Sequence, residues 1–393
     1  MKVGTVEKII NGGWGLIRGD EGIVLLNYVL PAEKVSYNIK EKSRGILWGE
    51  LKEVHVPSPY RIKPPCPYFT RCGGCTFQHI QYSEQQRIKR SIFKDDLRRI
   101  GRVDLPINAI SESPIFSYRI RGKLKAQDDG KIGFIFKGTN KVLPIENCLL
   151  FPPEINKFMR KWNNLKNPPF FHQMDIMLNS LTKNVFIYLS PPPAKNRDIF
   201  NQLPEFVFCW KGNEEIGVSQ IMLRNWEYFV APNLFFQVNH YLWEKMLTVM
   251  ESNLHHCDTI VDLYSGVGFF IPLLKKYAEN IIAVESNRLS VQLAKKSFPY
   301  VEFHQCMVEK FPFPKADIVV LDPPRSGLSP QVIQRILKMA YKKVIYISCS
   351  TATFSRDLNT FIEYGYQLKD LNLLDLFPQT PHMEIIGVLE LTT

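Results

Sequence analysis

The sequence predicts an α/β protein whose last part is an open, doubly wound sheet, preceded by a small β-barrel and a strand-rich middle. Three observations lead there. From about residue 231 onward, apolar strands alternate with amphipathic helices. Residues 1–56 instead hold short strands separated by turn glycines. Between these two textures, PSPYRIKPPCPY (57–68) is punctuated by proline, as a boundary is. The implied division is 1–57, 58–230 and 231–393, and 393 residues are ample for two or three cores.

Composition narrows the function classes. Hydrophobic residues at 45% and charged residues at 22% describe an ordinary soluble protein, and a net charge of +11 points to a polyanionic partner, nucleic acid before an acidic membrane. No stretch reaches the ~18 unbroken apolar residues of a membrane span. The start, MKVGTVEKIINGGWG, lacks the apolar core of a secretion signal, so a cytoplasmic protein is expected. Eight cysteines spread over so long a chain suit metal binding or catalysis better than a disulfide scaffold.

In chain order, VGTVEKII, WGLIRG, GIVLLNYV, KVSYNI and SRGILWGELKEV predict a small closed barrel of a kind that often binds oligonucleotides, although a β-module without a ligand gives the same pattern. Residues 83–100 predict an amphipathic helix capped by Ser83, with Ile88, Ile92 and Leu97 on one side. Arg87, Lys89, Arg90, Arg98 and Arg99 form its solvated face. In SYRIRGKLKAQ (117–127), the strand period sets Arg119, Arg121, Lys123 and Lys125 opposite Tyr118, Ile120 and Leu124. Four like charges on one face predict an RNA contact. The segment 128–230 is strand-rich, is broken by PPPAKN (191–196), and carries no catalytic motif.

The chemistry-bearing motifs lie in the last part, at the carboxyl ends of strands, where an open α/β sheet binds its ligands. DTIVDLYSGVGFF gives a strand, then Gly266 and Gly268 in a turn that lets backbone approach a ligand. Glu285 closes the next strand, placed to accept hydrogen bonds from a ribose. A dinucleotide fingerprint would want a third glycine where Ile271 stands, so D-x-x-x-G-x-G with a distal acid is the S-adenosylmethionine pattern. Asp322-Pro323-Pro324-Arg325 ends another strand, and the lack of an aromatic residue after the prolines disfavours methylation of an exocyclic amine. VIYISCS ends in Cys349, which neighbouring strands would bring beside Asp322. There a thiolate could add to carbon 6 of a uracil and make carbon 5 nucleophilic. A base must then remove the carbon-5 proton. PQTPHMEIIGV supplies His382 and Glu384, and Glu384, opening an apolar strand, is favoured.

PPCPYFTRCGGCTFQH holds Cys66, Cys72 and Cys75, and LPIENCLL adds Cys148. Four thiolates fit zinc or an iron–sulfur cluster, and three clustered cysteines with one distant lean to the cluster. Cys209, Cys257 and Cys306 read as packing residues.

On CPYFTRCGGCTFQH with Cys148, LFFQVN (234–239), DLYSGVG, DPPRSGL, ISCS and HMEIIGVLEL, in that order, the chain resembles the RNA uracil-5 methyltransferase family, especially members with an amino-terminal TRAM barrel and a [4Fe–4S] cluster. The resemblance implies a class I S-adenosylmethionine-dependent methyltransferase domain behind a TRAM-like barrel and a central iron–sulfur domain. It implies Cys349 as nucleophile, Glu384 as base, and Gln237, Tyr264, Glu285 and Asp322 around S-adenosylmethionine, with Cys66, Cys72, Cys75 and Cys148 holding a structural cluster. A monomer acting on 23S ribosomal RNA is the expected form. The transfer-RNA T-loop is the competing substrate, and an RNA-binding protein that has lost catalysis the competing class. Three departures stand out: Ser348-Cys349-Ser350-Thr351 where the family has S-C-N-P, Met307 where it carries an adenine-contacting Asp, and Phe269 for Asn or Thr.

Overall fold

Glycine turns cut the first part into six strands in the computed structural model, which describes residues 1–19, 21–193, 197–209 and 217–392. The strands are β1 (Lys2–Thr5), β2 (Lys8–Ile10), β3 (Trp14–Gly19), β4 (Gly22–Leu26), β5 (Lys34–Ser43) and β6 (Ile46–Val56), paired in the order β1-β5-β6-β4-β3-β2. The two edge strands are consecutive in the chain, joined by Val6 and Glu7, so the sheet curls back on itself by covalent connection. No ladder links β1 to β2 among the described residues, and the expected closed barrel is therefore an incomplete one. Its core, Val6, Ile17, Val24, Leu26 and Val35, is sealed from below by Phe77, Ile80, Ile88 and Ile92.

Ile88 and Ile92 belong to α1 (Tyr82–Arg99), which also sends Phe93 and Leu97 into the core of the last sheet. Arg87, Arg90, Arg98 and Arg99 do form an exposed face, as expected. Lys89, expected in solvent, is fully buried against Asp375. Ser83 does not cap the helix either: Gln81 is the N-cap residue, and no side chain caps the end.

After β7 (Ile110–Ser111), a second sheet forms from β8 (Arg121–Ala126), β9 (Ile132–Ile135), β10 (Val142–Pro144), β11 (Gln173–Leu178), β12 (Val185–Ser190) and β13 (Phe206–Cys209), in the order β10-β9-β8-β11-β12-β13. The helix α2 (Pro153–Asn163) packs Phe158 and Trp162 beneath it. Residues 194–196 of PPPAKN lie outside the described residues. The expected row of four outward cations is not there. Arg121 is buried and its guanidinium reaches the Pro232 and Phe236 carbonyls at 3.4 and 3.5 Å. Arg119 precedes the strand, and its Nε donates to the Arg121 carbonyl. Lys123 sits opposite buried Asp175 in the β8–β11 register, its exposed ammonium 3.9 Å from that carboxylate.

A hairpin, β14 (Ser219–Leu223) and β15 (Trp226–Val230), and α3 (Trp243–Glu251) lead into the last sheet. In chain order it adds β16 (Cys257–Leu263), α4 (Ile271–Lys275), β17 (Ala278–Glu285), α5 (Arg288–Ser297), β18 (Glu302–Gln305), β19 (Ile318–Leu321), α6 (Pro330–Met339), β20 (Lys343–Ser348), α7 (Thr351–Glu363), β21 (Tyr366–Leu374) and β22 (Glu384–Leu391). Strands order as β18-β17-β16-β19-β20-β22-β21-β7, parallel from β18 to β20, with β22 antiparallel to both its neighbours. The order reverses at β16, and there an open parallel sheet forms its ligand crevice. Among the described residues no helix is long and apolar enough to cross a membrane.

Candidate active site

Strand ends set the chemistry. Cys349 follows β20 directly, and Glu384 is the first residue of β22. Because the two strands pair antiparallel with Ser348 opposite Ile385, the residue after one and the residue before the other are neighbours across the ladder. Asp322 follows β19, the strand on the other side of β20. The sheet thus sets Cys349 on the strand next to that of Asp322, as the sequence predicted, and brings Glu384 in from the other side.

Their electrostatics are those of a dry, acidic recess. Burial pushes the Cys349 thiol up to about 11, with the Glu384 and Asp322 carboxyls adding to the shift; Arg325 opposes it by its charge and by a hydrogen bond to the sulfur. Glu384 is almost wholly buried, and burial with the Asp322 charge holds its carboxyl well above the usual range, again opposed by Arg325. Burial also raises Asp322. His382 is driven the other way, to about 4, by burial and by the charges of Arg325 and Lys89. Its imidazole is neutral at pH 7 and a weak proton acceptor.

Arg325 owes its place to a loop fixed from α7. Asp357 accepts from the Leu328 N–H at 2.9 Å and from the Tyr346 hydroxyl at 2.7 Å, while Arg356 donates to the Ser326 and Leu328 carbonyls. Gly327 has φ +73°, and a Cβ there would stand 2.7 Å from both Arg356 and Asp357. Ser350 caps α7, its side chain accepting from the Thr353 N–H. The serine that departs from the family's S-C-N-P is thus the helix N-cap, which pins Cys349 from its far side.

Beside this recess lies a small cavity lined by Phe235, Gln237, Asp262, Tyr264, Gly266 and Asp322 among others. Tyr264 and Gly266 have φ +64° and +56°, which turns the chain back under the cavity. Gln237 is buried and its amide faces the Asp322 carboxylate at 3.5 Å. Glu285 does not line the cavity. Its Oε2 accepts from the Gly266 N–H at 3.1 Å, and its Oε1 from the Asn287 N–H at 2.6 Å, so the acid holds the glycine turn while keeping lone pairs for a further donor. Asp262 is raised by burial and by the Asp322 and Glu285 charges. Two acids, Asp262 and Asp322, on the wall of one cavity, with Glu285 behind its glycine turn, favour a cationic occupant. Phe269 lines the same cavity but packs edge-on against Phe236, Trp243 and Phe270, in an aromatic core where a polar residue would have no partner. Met307 is half exposed before a short turn of 3₁₀-helix.

Cys66, Cys72, Cys75 and Cys148 line a separate small cavity, with Arg119 on its wall. The Cys72 sulfur accepts from the Gly74 N–H, and Asn156 ties the turn at Cys148 by bonding its N–H and carbonyl. Cys75 is pushed up to about 12, by burial and then by the other three thiols. Four thiolates there need a cation among them. No three His, Cys, Asp or Glu side chains converge closely enough to hold a single metal ion among the described residues.

Several functional groups escaped the sequence reading. Arg325 was noted only for what it is not, although its position directly after the two prolines was signal enough. Gln85, Lys89 and Tyr118 carry no motif, and Asn239, which closes LFFQVN, was given no role of its own; all four matter because they reach the loop before Glu384.

Comparison with known proteins gives four findings. Residues 300–392 match the profile of the family described as tRNA (Uracil-5-)-methyltransferase. An Aquifex aeolicus protein named an uncharacterized RNA methyltransferase is 31% identical over 98% of this chain and 97% of its own. A Pyrococcus abyssi protein named tRNA (uracil(54)-C(5))-methyltransferase is 28% identical over 98% of this chain and 99% of its own. The crystal structure of the Pyrococcus abyssi tRNA (uracil-54, C5)-methyltransferase with S-adenosyl-L-homocysteine superimposes with a TM-score of 0.77, covering 98% of this chain and 99% of that one at 24% identity, which is a likeness of fold.

Proposed function

Because this chain belongs to the RNA uracil-5-methyltransferase family, an S-adenosylmethionine-dependent class of enzyme, we propose that Cys349 and Glu384 divide between them the methylation of a uridine at carbon 5. The observation that carries this is their meeting on adjoining strand ends beside the acid-lined cavity. Cys349 adds through sulfur to carbon 6 of the flipped base, and carbon 5 becomes nucleophilic. Bound in the cavity against Gln237, Tyr264 and Asp322, with Glu285 at its ribose, S-adenosylmethionine supplies the methyl group as an electrophile. Glu384 then takes the carbon-5 proton, and the thiolate leaves as the double bond re-forms. Its raised pKa makes Glu384 the better base, whereas His382, held near 4, is a poor one. Arg325 stabilises the thiolate form of Cys349.

Transfer RNA is the substrate assigned first. Ribosomal 23S RNA was expected from the barrel-plus-cysteine layout. A relative named for uracil 54 of transfer RNA has the same fold over nearly the whole chain, and this supports transfer RNA. Labelled S-adenosylmethionine with unmodified transfer-RNA and 23S transcripts separates the two. Formation of 5-methyluridine that Cys349→Ala abolishes supports the mechanism; an active alanine variant refutes it.

Cys66, Cys72, Cys75 and Cys148 would hold a [4Fe–4S] cluster, which brings its own volume to thiols that ring a cavity. Its part would be to tie the cysteine loop to the second sheet. Anaerobic protein carrying about four irons supports this assignment, and colourless protein with stoichiometric zinc rejects it.

A further inference from the structure

The loop that delivers Glu384 is tied to its own sheet through the Asp375 N–H, which donates to the Ser111 carbonyl of β7, and is otherwise gripped by side chains and backbone from earlier in the chain. It runs from Asp375, after β21, to the start of β22. The Lys89 ammonium, fully buried, donates to Asp375 Oδ1 at 2.6 Å and to the Phe377 carbonyl at 3.1 Å. Asn239 reaches the Leu376 carbonyl, and the Tyr118 hydroxyl donates to the Pro378 carbonyl at 3.0 Å. The Gln85 side chain accepts from the Gln379 N–H at 3.0 Å and bonds its side chain at 3.1 Å. The Thr76 and Phe77 N–H groups, which follow Cys75, both donate to the Gln379 carbonyl. Residues 375 to 379 are each tied to a residue earlier than 240.

We propose that Lys89 is a positioning residue for the reaction: buried with Asp375, and helped by Gln85, it fixes the loop that sets Glu384 against the substrate carbon. A core role alone accounts poorly for it. A buried ion pair seldom stabilises a fold more than apolar residues of the same volume would. What the ammonium adds is direction, two bonds aimed at one loop from α1. This inference rests on Cys349 and Glu384 acting as assigned above.

The chemistry supplies a readout that general destabilisation does not move. If Glu384 is misplaced after methyl transfer, the carbon-5 proton stays, the sulfur cannot leave, and enzyme remains covalently attached to RNA. The variant Lys89→Met/Asp375→Leu removes both charges without leaving one unpaired, so it should fold. With S-adenosylmethionine and an unmodified transfer-RNA transcript, it should accumulate a denaturant-resistant protein–RNA adduct. Adduct resolution should slow about tenfold to a hundredfold, the effect of displacing a reacting group by ~1 Å. KM values should stay within about twofold, while amides of residues 376–384 exchange faster with deuterium. Glu384→Gln is the reference. If it accumulates adduct and the double variant does not, or if loop exchange is unchanged, the positioning role of Lys89 is wrong. If Glu384→Gln itself forms no adduct, the assignment of the base fails, and this inference with it.

Discussion

Replacing Arg325 with methionine should make Cys349 a weaker nucleophile before any RNA is present. The thiol is held near 11 by burial and two carboxyls, so about one molecule in a thousand carries a thiolate at pH 8. The Arg325 guanidinium works against that shift by charge and by a hydrogen bond to the sulfur. A cation favours the thiolate and lowers the pKa, so its loss raises the pKa and depletes the thiolate at fixed pH. An opposite charge at this range is worth about 1–3 units, and an exposed side chain belongs at the low end, so a rise of about one unit is expected. Alkylation of Cys349 by iodoacetamide, followed by peptide mass across about pH 7 to 10, should run about tenfold slower in Arg325→Met. Raising the salt should shrink the difference, because Arg325 is exposed. Equal rates at every pH would refute the electrostatic role; a loss of methylation without a loss of alkylation would reassign Arg325 to RNA contact.

Glu384→Gln keeps the volume and burial of the side chain but not its basicity, and kcat should fall by about 10²–10⁴ with adduct accumulating in denaturing gels. Gly327→Ala places a methyl against Asp357 and Arg356 at φ +73°. It should cost about 2–4 kcal/mol in urea unfolding, the sum of the left-handed conformation and a displaced buried hydrogen bond. Binding of S-adenosylmethionine should strengthen from about pH 6 to 8, because the raised carboxyls Asp262 and Asp322 must be ionised to favour a sulfonium. S-adenosylhomocysteine, which lacks that charge, should show a flatter profile in calorimetry.

Local signals explain what the sequence revealed. Asp322, Cys349 and Glu384 each mark the border between an apolar strand and a polar loop, and strand borders read well from a period of two. The glycine turn after β16 was equally legible. What stayed hidden depended on partners distant in sequence. Helical periodicity placed Lys89 with the basic residues of α1, yet the helix sits between two cores and the residue faces Asp375. Strand alternation put Arg121 outside with Lys123, whereas the chain from Pro232 to Phe236 folds over it. The edge strand β18, EFHQ, is too short and polar to announce itself. Ser83 looked like a cap because it follows the chain's turn into the helix, but the helix begins one residue earlier.

A sheet whose strands all ran one way could offer a reaction only the places where strands stop. Turning β22 round gives this rim one place where a strand begins. Sulfur and carboxylate therefore share a border drawn by main-chain atoms. Sliding that final strand by a single position would send Glu384 to the opposite side of the sheet and part the two groups altogether.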